Sequence, residues 1–546
     1  MLFADRSFSR SSAASALLMR SLCVSFFACS FHSSAIAEDQ PQWGERWTRN
    51  MASSETGLPE SFSLGERDPD DQDRVDMSTT ENVLWIASLG SRVYSSPVVA
   101  EGRVLIGTNN DAPRNPSYED DRGILMCLDE QTGEFLWQLV VPKRDEERFF
   151  DSAKTGITST PTVVDGRVYL ATNRGDVVCL DINGMSDGND GPYTDENMFI
   201  TDDQEQEPLR TAGPLDADIL WRFDMVETLG VRSHDASNCC PLVYEGVVYC
   251  GTANGLDEAH AAVARPELPA LIALDAETGR LLARDDDWVG EDVVHGQWSS
   301  PTMGTVNGRE LILYGGGNGR LNAFTPLDRE ALLEATPFEP GEKGLQDLAR
   351  INTVWTFDGQ PDLVAGEKCE FQPGRGSDSY TCVATPVIWD DRVYMAFSHD
   401  PWMGDDKGWL ACIDPSSEGD ITTTGLLWSK TLARESLSSP AITEDGVLYL
   451  ADNGGTIYCL DAESGEEHWA FEAEAMTWGS TLVVDGRVYL GTGGRSLYVF
   501  EDSTDFTPFA EHEMLDAMFN TPTAANGTLF IATGRFLYAV KAEDVD

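Results

Sequence analysis

One recurring phrase constrains the fold of this chain more than any other feature. It runs two small residues, Pro, an apolar pair, a tight turn and a second apolar strand, usually ending in Gly-Thr. Copies begin at Ser95 (SSPVVAEGRVLIGT), Ser159 (STPTVVDGRVYLAT), Cys239 (CCPLVYEGVVYCGT), Ser299, Ala384, Ser438, Gly479 and Asn520, and Thr481 replaces the proline of the seventh. A second phrase follows most copies. It is an apolar run closing in Leu-Asp, a Thr-Gly or Ser-Gly turn and a further strand that often carries Trp, as in Gly123–Gln138 and Thr456–Phe471. Each repeat therefore holds four short strands, and Asp-Gly, Asn-Gly or Glu-Gly between the first two supplies the positive φ of a two-residue hairpin. A lone four-stranded sheet cannot bury both faces, so the units must pack on one another. The predicted fold is all-β: an eight-bladed β-propeller of four-stranded antiparallel blades.

The ends of the chain predict how the ring closes. The last repeat stops after its third strand, whereas residues 82–89 (NVLWIASL) form a Trp-bearing strand with no repeat before it. This N-terminal strand is expected to complete the last blade and remove both edges. The expected organisation is a signal peptide over 1–37, an extended leader over 38–81 docked through Trp43 and Trp47, and a single propeller over 82–546.

Arg6, Arg10 and Arg20 precede the apolar run Leu22–Phe31, and Ala35-Ile36-Ala37 is a small-x-small cleavage site. That layout is a secretory signal, and the run is too short to span a bilayer. A periplasmic or secreted protein is expected, with no transmembrane segment, as a monomer. The formal net charge of −54 repels nucleic acid and excludes it as a partner. Cys127, Cys179, Cys412 and Cys459 share one slot before the apolar-Asp step, which reads as small core residues. Cys369 and Cys382 bracket a loop and are candidates for a disulfide.

Loop lengths divide the two faces. Most turns between first and second strands are minimal, while loops joining second to third strands, and one repeat to the next, carry long insertions. Binding residues concentrate on such loops. Four of the chain's seven histidines, His234, His260, His295 and His399, fall in these loops of repeats 3 to 5, with Asp235, Asp257, Gln297, Trp298, Asp400 and Trp402. Taken singly, each histidine reads as a loop cap. Together, imidazoles, carboxylates and indoles suit a metal or a polar ligand. Their spacing matches no tight metal motif, so no metal is assigned, and no catalytic residue is assigned. The acidic run Asp181–Gly191 lacks the donor spacing of a calcium loop and reads as a turn.

The eight phrases, with their proline, Leu-Asp-x-x-(Thr/Ser)-Gly and following Trp, resemble pyrroloquinoline-quinone (PQQ) repeats over about Trp85–Lys541. Such repeats build eight-bladed propellers in quinoprotein alcohol dehydrogenases and in the BamB-type outer-membrane assembly factor. The segments PQWGERWTRNMASSETGLP, GNDGPYTDE (Gly188–Glu196) and HGQWSSP (His295–Pro301) are similar to those of exported PQQ-like repeat proteins. In the dehydrogenases an adjacent-cysteine disulfide lies against the cofactor, and Cys239-Cys240 stands in the matching strand. The same slot elsewhere holds Ser-Ser, Ser-Thr or Asn-Thr, so a demand for small residues also accounts for it. The enzymes' calcium-binding Glu and Asn, their catalytic Asp and a haem-attachment Cys-x-x-Cys-His have no match here. Three readings follow. The first is a binding or scaffold module for a protein, peptide or glycan on the insertion-rich face. The second is an oxidoreductase with PQQ and calcium near Cys239, Cys240, His234, Asp235, His295, Gln297, Trp298, His399 and Asp400. The third is a BamB-like scaffold.

Overall fold

Both residues of most first turns adopt the left-handed region: Glu101-Gly102 at φ 52° and 74°, Asp165-Gly166 at 49° and 73°, Asn526-Gly527 at 51° and 69°. These two-residue hairpins lock the register of each first and second strand. Blade 1 orders Val98–Ala100, Arg103–Asn109, Arg122–Asp129 and Phe135–Pro142, all antiparallel. Blades 2 to 7 repeat that order, from Thr162–Val164 to Pro508–Glu513. The computed structural model describes residues 38–542 apart from 72–73, 117, 119, 145–148, 202–210, 236, 286–291, 336–337, 339–343, 369–373 and 375–376. The signal segment, and the proposed pairing of Cys369 with Cys382, lie outside these residues.

Blade 8 closes the ring as expected. Val83–Ser88 pairs antiparallel with Phe536–Val540, placing Trp85 opposite Ala539. Most second and third strands are almost wholly buried, because each blade is sandwiched between two others. The repeated Cys slot is accounted for by that sandwich: Cys127, Cys179, Cys412 and Cys459 are buried free thiols, each paired across the sheet with the Trp of the outer strand.

The Leu-Asp…Gly phrase and the Trp prove to be two halves of one inter-blade lock. The Asp accepts hydrogen bonds from its own turn, as Asp461 Oδ1 does from the Ser464 amide and hydroxyl, both at 2.7 Å. The indole of the preceding blade then donates to a carbonyl of that turn: Trp85 to Glu130, Trp137 to Ile182, Trp221 to Ala276, Trp428 to Ala462 and Trp469 to Ser503. The glycine lets the indole lie flat on the turn. A Cβ on Gly465, at φ 73°, would stand 2.5 Å from the Trp428 ring. Gly465→Ala is expected to destabilise the protein by about 2–3 kcal/mol through left-handed strain and overpacking. Urea unfolding measures it, and a loss under about 0.5 kcal/mol would contradict the lock.

One expectation differs from what is observed. The segment before the ring is not uniformly extended: Ser63–Arg67 and Val75–Glu81 form a hairpin. Its polar sequence hid this, and Phe62, Leu64 and Val75 anchor it on the cluster shared by blades 7 and 8. Insertions between third and fourth strands add two short strands to neighbouring blades. Ala349–Ile351 adds in parallel to the outer strand of blade 3, and Gly419–Asp420 to that of blade 4. Each covers an edge that would otherwise expose unpaired backbone.

Candidate functional site

The small-residue pairs line the axis and bond to one another around it. The amide of the second small residue donates to the side chain of its counterpart in the next blade. Ser96 donates to Thr160 at 2.9 Å, Cys240 to Ser300 at 2.9 Å, Ser300 to Thr385 at 3.1 Å and Thr385 to Ser439 at 3.0 Å. Ser439 then donates to Ser480 at 2.9 Å, Ser480 to Thr521 at 3.0 Å and Thr521 back to Ser96 at 3.1 Å. In blade 3 the Cys240 side chain holds the corresponding position and lines the axis beside Thr160. The circle needs a short side chain with an acceptor at this position, which is what the eight copies share.

Above this circle lies a cavity of about 310 Å³. The residue immediately before each small pair forms its wall: Tyr94, Thr158, Asn238, Trp298, Val383, Leu437, Trp478 and Phe519. The wall is therefore two-sided. Blades 2 and 3 give it Thr158 and Asn238, joined by Ser152, Thr155 and Asp235, whereas the other blades give it aromatic or aliphatic groups. The rings form a continuous arc. Tyr94 stacks on Trp478 at 5.6 Å, Trp402 meets Trp478 edge-on at 5.7 Å, and Trp298 meets Trp402 at 5.6 Å. Trp402 is 51% exposed, so the arc opens to solvent on the insertion-rich face. Trp478 Nε1, Thr158 Oγ1, and Oδ1 of Asn238 and Asn520 are buried without a hydrogen-bond partner, at a cost that a polar ligand would relieve. No Lys or Arg lines the cavity among the described residues.

The leader closes the opposite end. Residues 38–51 bond to the first strand or first turn of blade after blade. Amides of Asn526, Val99, Val163, Met303 and Ile388 donate to Glu38, Gln40, Pro41, Trp47 and Thr48 carbonyls. The Met51 amide reaches Pro440, and its carbonyl accepts from Val483. Trp47 donates to the Val243 carbonyl. Trp43 donates to Thr521 Oγ1 at 3.4 Å, and its ring forms the cavity floor. The leader thus covers the end of the axis opposite the insertion-rich face.

The histidine loops converge beside this cavity. Rings of His234 and His260 lie 4.7 Å apart, those of His234 and His295 also 4.7 Å, and Trp298 flanks His295 at 5.0 Å. One ring nitrogen from each of His234, His260 and His295 falls within 4.8 Å of the others. Burial, then the neighbouring His295, push the His234 pKa down to about 4. Gly255 makes the approach possible, since a Cβ there would stand 2.8 Å from both the His234 Cβ and the His295 carbonyl oxygen. Asp400 accepts from His295 and from the amides of Trp402 and Met403. Other expected residues have other places. His399 packs its ring on Tyr380 at 4.4 Å, Asp257 caps the Ala261 amide, and Gln297 bridges to the Asn254 carbonyl. Cys240 lines the cavity, whereas Cys239 faces into its blade, accepting from the Gly251 amide at 3.1 Å. Both thiols are free. Sequence reasoning missed Tyr94, Trp478 and Phe519, although each sits at one fixed position of the repeat.

Comparisons with known proteins agree with the architecture. Residues 406–506 match the family model described as outer membrane protein assembly factor BamB. A search of curated proteins finds no match. The quinohemoprotein alcohol dehydrogenase of Comamonas testosteroni superposes with TM-score 0.56 at 12% identity, covering 93% of this chain and 81% of that one. A europium-containing methanol dehydrogenase gives 0.53 at 11% identity, covering 91% and 89%. BamB of Moraxella catarrhalis gives 0.47 at 12%, covering 85% and 98%. At these identities the dehydrogenase likeness concerns the fold. No helix among the described residues is long and apolar enough to cross a membrane.

Proposed function

We propose that this protein is an exported binding module that takes a neutral polar ligand, a glycan unit, into the axial cavity from the insertion-rich face. The observation that carries the reading is the two-sided wall: an arc of Tyr94, Trp478, Trp402 and Trp298 opposite Thr158, Asn238 and Asp235. A sugar ring offers C–H groups to an indole face and hydroxyls to the amide and hydroxyl side. The leader across the far end and the volume of about 310 Å³ suit one or two sugar residues at the end of a chain.

The quinoprotein reading meets an obstacle in the same lining. PQQ is a tricarboxylate, and among the described residues no Lys or Arg lines the cavity to meet it. Calcium needs six or more oxygen ligands, and among the described residues Asp235 is the one carboxylate in the wall. Cys239 and Cys240 turn to opposite sides of their strand, so they do not present a joint surface to a ring in the cavity. The present residues do not fit that group.

Titration with a panel of mono- and oligosaccharides, followed by tryptophan fluorescence, tests the proposal. Binding is expected to weaken at least tenfold, about 1.4 kcal/mol, in Trp478→Ala. Absence of any saccharide response, or tight binding of PQQ with calcium, would overturn it.

A further inference from the structure

Each imidazole of the converging loops has its Nδ1 assigned by a neighbour. His234 Nδ1 lies 2.9 Å from the Leu256 carbonyl oxygen, and His260 Nδ1 lies 3.2 Å from that of Glu258. A carbonyl only accepts, so each Nδ1 carries its proton and each Nε2 is an acceptor. Yet the two Nε2 atoms stand 3.1 Å apart. Two acceptors at that distance repel unless a positive species sits between them.

The third ring repeats the pattern. His295 Nδ1 meets both Asp400 oxygens at 3.1 and 3.2 Å, and its Nε2 is buried with no hydrogen-bond partner. Asp235 Oδ2 stands 3.9 Å from Nε2 of both His234 and His295. A carboxylate behind a histidine whose far nitrogen points into a shared space is the usual outer support of a metal ligand. Three converging imidazole nitrogens with one carboxylate suit a borderline-soft ion and not calcium or magnesium, which prefer oxygen.

We infer that His234, His260 and His295 bind a divalent zinc-class transition-metal ion. Asp235 lies where it completes the shell or yields that place to a ligand in the cavity, whose wall it lines. Asp400 is the positioning residue that orients His295. The ion ties together loops of blades 3 and 4, and through Asp400 behind His295 it reaches blade 5. This site stands on its own residues and does not depend on what the cavity binds.

The test uses the exported chain, freed of metal by a chelator and titrated with Zn²⁺ by calorimetry, then with Co²⁺ as a visible reporter. A single ion per chain and a cobalt spectrum of low-symmetry nitrogen ligation are expected. His234→Ala and His295→Ala should each abolish both. Asp400→Asn should weaken binding roughly 10- to 100-fold while keeping the cobalt spectrum. His399→Ala, whose ring rests on Tyr380, should leave binding unchanged and serves as a folded control. No uptake of Zn²⁺ or Co²⁺ by the wild type, or equal uptake by His234→Ala and His295→Ala, would overturn the inference and leave a proton shared between His234 and His260.

Discussion

Deleting residues 83–88 should abolish cooperative folding. These six residues are the outermost strand of blade 8, contributed from the opposite end of the chain. Without them, Phe536–Val540, buried along its whole length, becomes an open edge. Trp85 also leaves, and with it the hydrogen bond to the Glu130 carbonyl that locks blade 8 to blade 1. Truncating a buried Trp alone costs about 3–5 kcal/mol, and losing a strand's pairing besides exceeds a typical total stability of about 5–15 kcal/mol. Thermal unfolding by circular dichroism should show a broad, early loss of structure, with rapid proteolysis. Replacing the exposed residues 69–71, which lie between the two strands of the leader hairpin, by glycines should leave the melt nearly unchanged. A sharp transition within a few degrees of wild type after the strand deletion would refute ring closure as the source of stability.

That closing strand was legible because a count exposed it: one repeat lacked its fourth strand and one strand lacked a repeat. The small pairs were legible as a steric demand. Their role as acceptors in a circle was not, because each bond joins residues of neighbouring blades, such as Ser300 and Thr385. The cavity wall is written one residue earlier, at Tyr94, Thr158, Asn238, Trp298, Val383, Leu437, Trp478 and Phe519. Reading that column across the repeats, and not each loop by itself, would have found the aromatic arc. The histidines were visible as a group, but Asp400 lies 105 residues from His295. Only the placement of adjacent blades brings such loops together, so no local spacing could disclose a metal motif. Gln297, Asp257 and His399, near the site in sequence, make their contacts within the loops.

The least legible element was the plug, and its anchor gives the second large prediction. Arg49 is fully buried, although charged residues almost never are unless paired. Its partners are carbonyls. Nη1 donates to Trp43 at 2.9 Å, Nε to Pro301 at 3.2 Å, and Nη2 to Cys240 and Pro241 at 3.2 and 3.1 Å. Burial pushes its pKa down, opposed by the neighbouring Cys240 and Cys239. The guanidinium therefore bolts the leader to blades 3 and 4 under the cavity floor. Arg49→Met keeps much of the volume but leaves buried carbonyls unsatisfied, a loss of about 3–5 kcal/mol by analogy with breaking a buried charged network. Arg49→Lys should recover little of it, since an ammonium cannot span the fork. The loss should appear first in the leader. Limited proteolysis should cut within 38–55 before the ring, and Trp43 fluorescence should shift to the red as the floor opens. An Arg49→Met protein with wild-type proteolysis and unfolding midpoint would show that the plug is held by its backbone bonds to the blades and not by this side chain.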